Sequence, residues 1–186
     1  PFNIIALMRL SPMGAAATAL SGVSWAIVFT FGPVYAQRAG FSISEISLFM
    51  GVAMVGGALM QFPLGWLSDA IGRRATIFFM SLGGVAASLL GLWLHAMPHV
   101  YQYLPFALIG ALVLPLYGLG AAHTNDHLAP QTRVAAAAGL VLLFGLGSIL
   151  GPLVVGSAIT TLGAGGFFVV LAGVMGLSVA ACALPR

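Results

Sequence analysis

Between two long uncharged segments the sequence reads Gly65-Trp66-Leu67-Ser68-Asp69-Ala70-Ile71-Gly72-Arg73-Arg74. This stretch holds three of the nine Asp, Glu, Lys and Arg residues in the chain. Gly72 can supply the positive φ of a tight reversal. Arg73 and Arg74 follow near the start of the next segment, where the positive end of a helix dipole disfavours cations. The two arginines therefore need compensation from Asp69, from another acid or from lipid phosphates.

The composition of the 186 residues is that of an integral membrane protein. Hydrophobic residues make up 61% of the chain and charged residues 5%, whereas a soluble domain carries about 25% charged residues. So few polar groups cannot cover a soluble surface. The net charge of +3 is not clustered into a basic face, so no nucleic-acid partner is expected. The single cysteine, Cys182, excludes an internal disulfide.

Six uncharged segments are candidates for membrane-spanning helices, which need about 20 apolar residues each. They are residues 13–37, 46–67, 75–94, 103–123, 134–159 and 167–184. All charged residues fall outside these segments. We therefore predict one six-helix transmembrane domain over residues 1–186, with both ends on the same side of the membrane.

The arginines are divided unequally between the two sides of the predicted bundle. One side has Arg9, Arg73, Arg74, Arg133 and Arg186, and the other has Arg38. Because cytoplasmic loops carry an excess of Lys and Arg, this split places both termini in the cytoplasm. The need for positive charge on the cytoplasmic side could by itself account for the adjacent Arg73 and Arg74. The chain starts at Pro1 and not at Met, so we expect it to be a piece of a longer protein.

The stretch from Gly65 to Arg74 resembles the signature loop of the major facilitator superfamily, G-x-L-x-D-x-x-G-R-R. The matching residues are Gly65, Leu67, Asp69, Gly72, Arg73 and Arg74. Ala70 departs from the pattern, since many members carry a basic residue there, and this departure would weaken the local charge network. In that superfamily the loop joins the second and third helices of each six-helix half. Here too it lies between the second and third predicted spans.

A second resemblance covers the other loop on the same side. Asp126, followed by Arg133 and a glycine-rich span, recurs in the superfamily. Residues 9–12, 32–35, 61–65 and 125–127 look like the C-terminal half of YcaD-like bacterial permeases. Against this, residues 147–152 resemble the Gly-Pro motif of antiporter fifth helices, which belongs to the first half, although the spacing after Pro152 departs from it. The C-terminal half is the favoured prediction, and the N-terminal half stays open.

These resemblances imply an all-α membrane protein whose six helices form two inverted three-helix repeats. They imply half of a secondary transporter for a small solute, in the bacterial inner membrane. The implied partners are a small-molecule substrate, the lipid bilayer and either the complementary six-helix half or a second copy, with no cofactor. A non-transporting membrane bundle or a passive channel is the alternative.

In the superfamily, the first and fourth helices of each half line the central cavity. The corresponding candidates in this chain are Thr18, Ser21, Ser24, Trp25 and Phe29 in the first span and Tyr117 in the fourth, with Gln61 as an isolated amide in the second. The competing interpretation is that Ser and Thr bond their own helix and that Trp packs. No Asp, Glu, Lys or Arg lies within a predicted span, so a proton-coupling carboxylate is not expected in this half.

Two histidine pairs and one serine are candidates for other chemistry. His123 and His127 are four residues apart beside Asp126, but polar capping at a helix end explains them more simply than a metal site. His95 and His99 flank Pro98 and are assigned to a loop. A rhomboid-like protease also has a six-helix core, but it needs a nucleophilic serine in a Gly-x-Ser-Gly-type motif and a histidine inside a span. Gly147-Ser148 has the wrong order, so neither an enzyme nor a metal site is predicted.

Three structural expectations concern the charged loops. Asp126 should pair with Arg73 or Arg74. Asp69 should lie near a helix start, in this half or the complementary one, where backbone N–H groups favour an anion. Gly65 should allow close packing against a neighbouring helix. Together, the signature loop, Asp126 and Arg133 are predicted to form a gating network.

Overall fold

A computed structural model describes residues 4–184, apart from the side chains of Ile5, Ala6 and Pro130. In this part of the chain there are helices and turns but no strand. The α-helices are α1 (Ile4–Leu10), α2 (Pro12–Ala26), α3 (Gly32–Arg38), α4 (Ile43–Ile71), α5 (Arg73–Leu94), α6 (His99–Val113), α7 (Leu116–Asn125), α8 (Arg133–Leu162) and α9 (Gly166–Ala181). Pro1 and Arg186, used above for the chain start and for topology, lie outside the described residues.

Five helical stretches are long and apolar enough to cross a membrane. They are Pro12–Arg38, Ile43–Ile71, Arg73–Leu94, His99–Asn125 and Arg133–Leu162, and the shorter apolar helix Gly166–Ala181 follows them. We number these six stretches as the first to sixth spans in chain order, and each overlaps one predicted segment. The second span runs past the predicted ends, so Glu45 and Asp69 lie in its first and last turns.

Local chemistry sets the limits of the second span. Ser42 caps the start of α4: its Oγ accepts from the Glu45 N–H at 3.4 Å, and the Glu45 carboxylate accepts from the Ser42 N–H at 2.7 Å. This reciprocal pair satisfies two N–H groups that the first helical turn leaves unbonded. At the other end, Gly72 has φ 86°, which reverses the chain into α5 at no steric cost.

The helices pair in a pattern that reflects internal symmetry. α2 of the first span packs most extensively along α8 of the fifth, α4 of the second along α6 of the fourth, and α5 of the third along α9 of the sixth. If the first three spans are exchanged with the last three, the pairing of spans one and five becomes the pairing of spans four and two. The pairing of spans three and six stays the same. The fold is therefore that of two three-helix repeats, as the sequence predicts.

Glycines bring the helices of the first two pairings into backbone contact. The closest approaches involve Gly22 and Gly147 between α2 and α8, and Gly56 and Gly110 between α4 and α6. A Cβ at Gly22 would collide with the backbone of Phe144, and a Cβ at Gly147 would collide with the carbonyl of Ala19. Because lipid gives no hydrophobic drive for helices to associate, such close packing is a main source of bundle stability.

The five prolines of the predicted spans have different effects. Pro33 follows a π-helical turn, Ile27–Phe31, and Pro115 separates α6 from α7. Pro63, Pro105 and Pro152 lie inside continuous helices. A proline removes one backbone donor, so the first and fourth spans, which correspond to each other in the two repeats, are the interrupted ones.

Large apolar side chains cover the outside of the bundle. Phe62 and Trp66 on α4 are 88% and 76% exposed, and Leu153 on α8 is 68% exposed. Apolar surface of this extent indicates contact with lipid or with another protein surface.

Candidate functional site

The main candidate site is an open groove of about 520 Å³ between the first five spans. Trp25 of α2, Gln61 and Ser68 of α4, Tyr117 of α7 and Phe144 of α8 line it. We call it the Tyr117 groove. An amide, an indole and a phenol here share a wall with apolar side chains, and polar groups at membrane depth generally mark functional surfaces.

Aromatic rings form one wall of the Tyr117 groove. The Phe144 ring meets Tyr117 edge-on with centroids 5.0 Å apart, and meets Trp25 edge-on at 6.2 Å. Phe29 does not line the groove but packs against Trp25 at 4.1 Å, so it supports the indole from behind. Edge-to-face arrangements are favourable for aromatic pairs. Phe144 was not predicted, although a single aromatic residue in the glycine-rich fifth span was a usable signal.

The three hydroxyl residues predicted in the first span do not reach the groove. Thr18, Ser21 and Ser24 are fully buried inside the bundle. Ser21 donates to the Thr18 carbonyl at 2.7 Å, and Ser24 donates to the Leu20 carbonyl at 2.9 Å. For these residues the cavity-lining prediction is wrong, because their side of α2 packs against α7 and α8. Trp25, Gln61 and Tyr117 are the predicted residues that the structure brings together.

A charge network closes one end of the groove. Arg73 lines this end, donates from Nε to Asp126 Oδ2 at 2.5 Å and donates to Ser68 Oγ at 3.2 Å. Asp69 Oδ1 lies 3.9 Å from the same guanidinium. The predicted contact between Asp126 and Arg73 is therefore confirmed, and it ties the loop after α4 to the loop after α7.

Other residues of the predicted network are placed differently. Asp69 is 75% exposed in the last turn of α4. A position of Asp69 near a helix N-terminus of the complementary half remains a prediction. Gly65 lines the groove, and a Cβ there would meet no described atom within 4 Å. Close packing of Gly65 against a helix outside the described residues therefore stays a prediction. Arg133 is exposed at the start of α8 and joins no ion pair within residues 4–184.

The His123 and His127 pair lies at the end of α7. The ring centroids are 4.9 Å apart, and Nδ1 of His127 lies 2.8 Å from the His123 carbonyl oxygen. Among the described residues there is no group of three or more His, Cys, Asp or Glu side chains placed to hold a metal ion.

The sequence model of the Major Facilitator Superfamily matches residues 14–186. The chain belongs to this superfamily. The family is one of transporters and not of enzymes, and a multi-pass membrane protein is what its apolar helices indicate. The segment Gly65 to Arg74 stays the predicted signature loop, and the Tyr117 groove lies beside it.

Individual relatives agree with the resemblance to YcaD-like permeases. The chain is 32% identical over 151 residues to the uncharacterized MFS-type transporter YfkF of Bacillus subtilis, covering 81% of this chain and 36% of the relative. It is 28% identical over 149 residues to the uncharacterized MFS-type transporter YcaD of Escherichia fergusonii, covering 78% and 37%. The chain thus spans a little over a third of the length of these relatives.

A solved structure has the same fold. The crystal structure of an auto-inhibited POT family peptide transporter superimposes with a TM-score of 0.76, over 93% of this chain and 36% of that one. At 18% identity, this likeness concerns the fold alone.

A polar contact that the sequence did not predict joins the spans of this superfamily member at the end opposite the signature loop. His99 begins α6 and is not in a loop: its Nδ1 lies 3.1 Å from Glu45 Oε1, and its Nε2 lies 3.2 Å from the Ala39 carbonyl oxygen. Its ring stacks on Phe41 with centroids 3.9 Å apart. Both ring nitrogens of His99 therefore face oxygen atoms of other segments.

We expect His99→Ala to lower the free energy of unfolding by about 1–3 kcal/mol, because it removes two polar contacts and a ring stack. His95→Ala is the matched control, since the His95 ring contacts only the Leu92 carbonyl of its own helix among the described hydrogen bonds. SDS titration followed by circular dichroism measures both variants. Equal losses would mean that His99 does not join the spans.

Proposed function

We propose that the chain forms one six-helix half of a secondary transporter for a small solute in the bacterial inner membrane, with the Tyr117 groove as this half's wall of the solute pathway. The groove itself is the observation that carries the proposal. Five spans contribute to it, including the first and fourth. A pathway wall needs such shared lining, because movement of one repeat against the other can then change its width.

The lining of the groove indicates what kind of solute it could bind. Trp25, Tyr117 and Phe144 offer aromatic faces and edges, and Gln61 offers both a donor and an acceptor. The charged group at the groove is Arg73, which already contacts Asp126. This chemistry suits a small, mostly apolar organic solute with a few hydrogen-bonding groups, bound largely by ring contacts.

The Arg73–Asp126 contact is the proposed gate at one end of the groove. It joins the starts and ends of helices from both three-helix repeats, so it weakens or tightens as the repeats move. A pair this exposed is worth only about 0–1 kcal/mol, which is too little to hold the fold and enough to bias a gate.

The rest of the proposed assembly concerns the complementary half. We infer that it covers the open side of the groove, that this chain is the C-terminal half, and that the signature loop faces the cytoplasm. The arginine distribution and the resemblance to YcaD-like permeases support these assignments.

The test is solute transport by cells that co-express this chain with a complementary six-helix half. Untargeted mass spectrometry compares solute levels inside and outside these cells with those of cells expressing either half alone. We expect at least one solute to be redistributed when both halves are present, and Tyr117→Ala to abolish the change. Phe62→Ala, a truncation on the lipid-exposed face of α4, should leave it intact. A distribution identical to that of the separate halves would count against the proposal.

A further inference from the structure

A second cavity of about 520 Å³ lies on the other side of Arg73, at the start of α5. Arg73 and Arg74 of α5, His123 and His127 at the end of α7, and Cys182 after α9 line it. We call it the Arg74 pocket. Apart from Arg73, none of the residues lining it lines the Tyr117 groove.

The Arg74 pocket has more positive than negative charge. Asp126, its one acidic lining residue, is engaged by Arg73 at 2.5 Å. Asp69 also approaches Arg73, and Glu45 pairs with His99 at the far end of the bundle. Within residues 4–184 no carboxylate therefore lies within 4 Å of Arg74. A half-buried guanidinium without a carboxylate partner favours an anion in the space beside it.

The remaining wall of the pocket is apolar. Ile71, Ala75 and Phe78 line it, and Phe78 lies in the second turn of α5, a helix long and apolar enough to cross a membrane. The pocket thus joins cationic groups at the membrane boundary to apolar surface one turn deeper. This arrangement matches an amphiphile whose charged group sits at the boundary and whose hydrocarbon extends inward.

We propose that the Arg74 pocket binds the oxyanion of a phosphate group, with Arg74 as its main donor. Guanidinium and phosphate match in geometry, and charge-assisted contacts of this kind are about twice as strong as neutral ones. The phosphate can come from an anionic phospholipid or from soluble phosphate. The apolar wall favours the lipid. This inference does not depend on transport, because it concerns a site outside the solute groove.

The single cysteine provides a reporter for occupancy. Cys182 lines the pocket and is 6% exposed. Burial raises the pKa of its thiol, and the nearby Arg74 charge partly opposes this. A phosphate group beside Arg74 would both block access to the thiol and cancel the charge that favours its reactive thiolate.

The experiment measures the rate at which N-ethylmaleimide modifies Cys182 in the full chain, purified in dodecyl maltoside and followed by intact mass. Dioleoylphosphatidylglycerol is added in one sample, and dioleoylglycerol, which has the same acyl chains without phosphate, in a second. Sodium phosphate is added in a third, with sodium chloride at equal ionic strength as its reference. We expect the phospholipid to slow modification about tenfold and dioleoylglycerol to leave it unchanged.

The outcomes distinguish the two sources of phosphate. Protection by phosphatidylglycerol alone supports a lipid site, and protection by sodium phosphate as well supports a site for soluble phosphate. Lack of protection by both, or equal protection by dioleoylglycerol, would overturn the proposal. These comparisons use the unaltered chain, so no variant has to fold.

Substitutions then test the assigned donor. Arg74→Gln should remove the protection by phosphatidylglycerol, whereas Arg9→Gln, which removes an exposed arginine from α1, should keep it. Native mass spectrometry counts the phosphatidylglycerol retained by each variant, and circular dichroism checks its helix content. Equal loss in the two variants would show general charge attraction and would refute a site at Arg74.

Discussion

Gly147→Leu is expected to destabilise the bundle by about 3 kcal/mol or more, at the upper end of what overpacking costs. A Cβ at this position would collide with the Ala19 carbonyl and would lie 3.1 Å from the Val23 nitrogen. These are backbone atoms of α2, so they cannot move aside as a flexible side chain would. The two helices would have to separate along the pairing that joins the two repeats.

Gly145→Leu is the control for this prediction. It makes the same chemical change two residues away on α8, where a Cβ would meet no described atom within 4 Å. Helix propensity and hydrophobicity change equally in both variants, so their difference isolates the helix crossing. SDS titration with circular dichroism gives the stability, and size-exclusion chromatography shows whether the protein stays monodisperse. Equal stability would mean that α2 and α8 do not cross at Gly147.

The second large effect concerns the gate. Asp126→Asn should lower transport by the reunited protein about tenfold, within the usual range of coupling between sites. The same substitution should change the free energy of unfolding by less than about 1 kcal/mol, because the Asp126 side chain is 51% exposed and its ion pair is screened by water. A gating contact should affect transport and leave stability nearly unchanged, whereas a structural contact should affect both.

The exchange of the two charges completes the test. Arg73→Asp and Asp126→Arg should each impair transport, and the double variant should recover part of it because the pair is restored with reversed polarity. Asp126→Glu keeps the charge and should retain most of the activity. A loss of stability proportional to the loss of transport in every variant would instead assign the pair to the fold.

The signature loop was predictable from sequence because its function depends on residues close together in the chain. Gly72 has to reverse the backbone, and Arg73 has to be neutralised at a helix start. Only one other acid, Asp126, lies on the same predicted side, so its contact with Arg73 or Arg74 followed from the span count. Local chemistry and topology together were enough for this part of the site.

The first span shows where sequence spacing is insufficient. Ser21 and Ser24 lie at helical spacing from Trp25, yet the two serines face the bundle interior and Trp25 lines the groove. In a helix that is apolar on all sides, the sequence does not mark which face meets a neighbour. The close approach of Gly22 to the Phe144 backbone decides that orientation, and it depends on a residue in the fifth span.

The long-range contact between His99 and Glu45 could not be predicted from the sequence either. His99 and Glu45 are 54 positions apart, and each has a local explanation that conceals the other. Glu45 completes the Ser42 cap, a pattern that Ser-x-x-Glu makes readable in sequence. His99 follows a proline, which suggests a loop, but Pro98 occupies the N-cap position of α6 and His99 is the first residue of this helix.

The central claim is that the Tyr117 groove is a water-accessible wall of a solute pathway, and adjacent cysteines on α4 test it most directly. Gln61→Cys and Phe62→Cys are made in a Cys182→Ser background, with the complementary half present, and are exposed to a charged, water-soluble methanethiosulfonate reagent in membranes. The two positions have the same depth but differ in direction: Gln61 lines the groove, whereas Phe62, 88% exposed, does not. We predict rapid modification at position 61 and protection by lipid at position 62. Equal protection of both positions, or modification at 62 alone, would contradict the account.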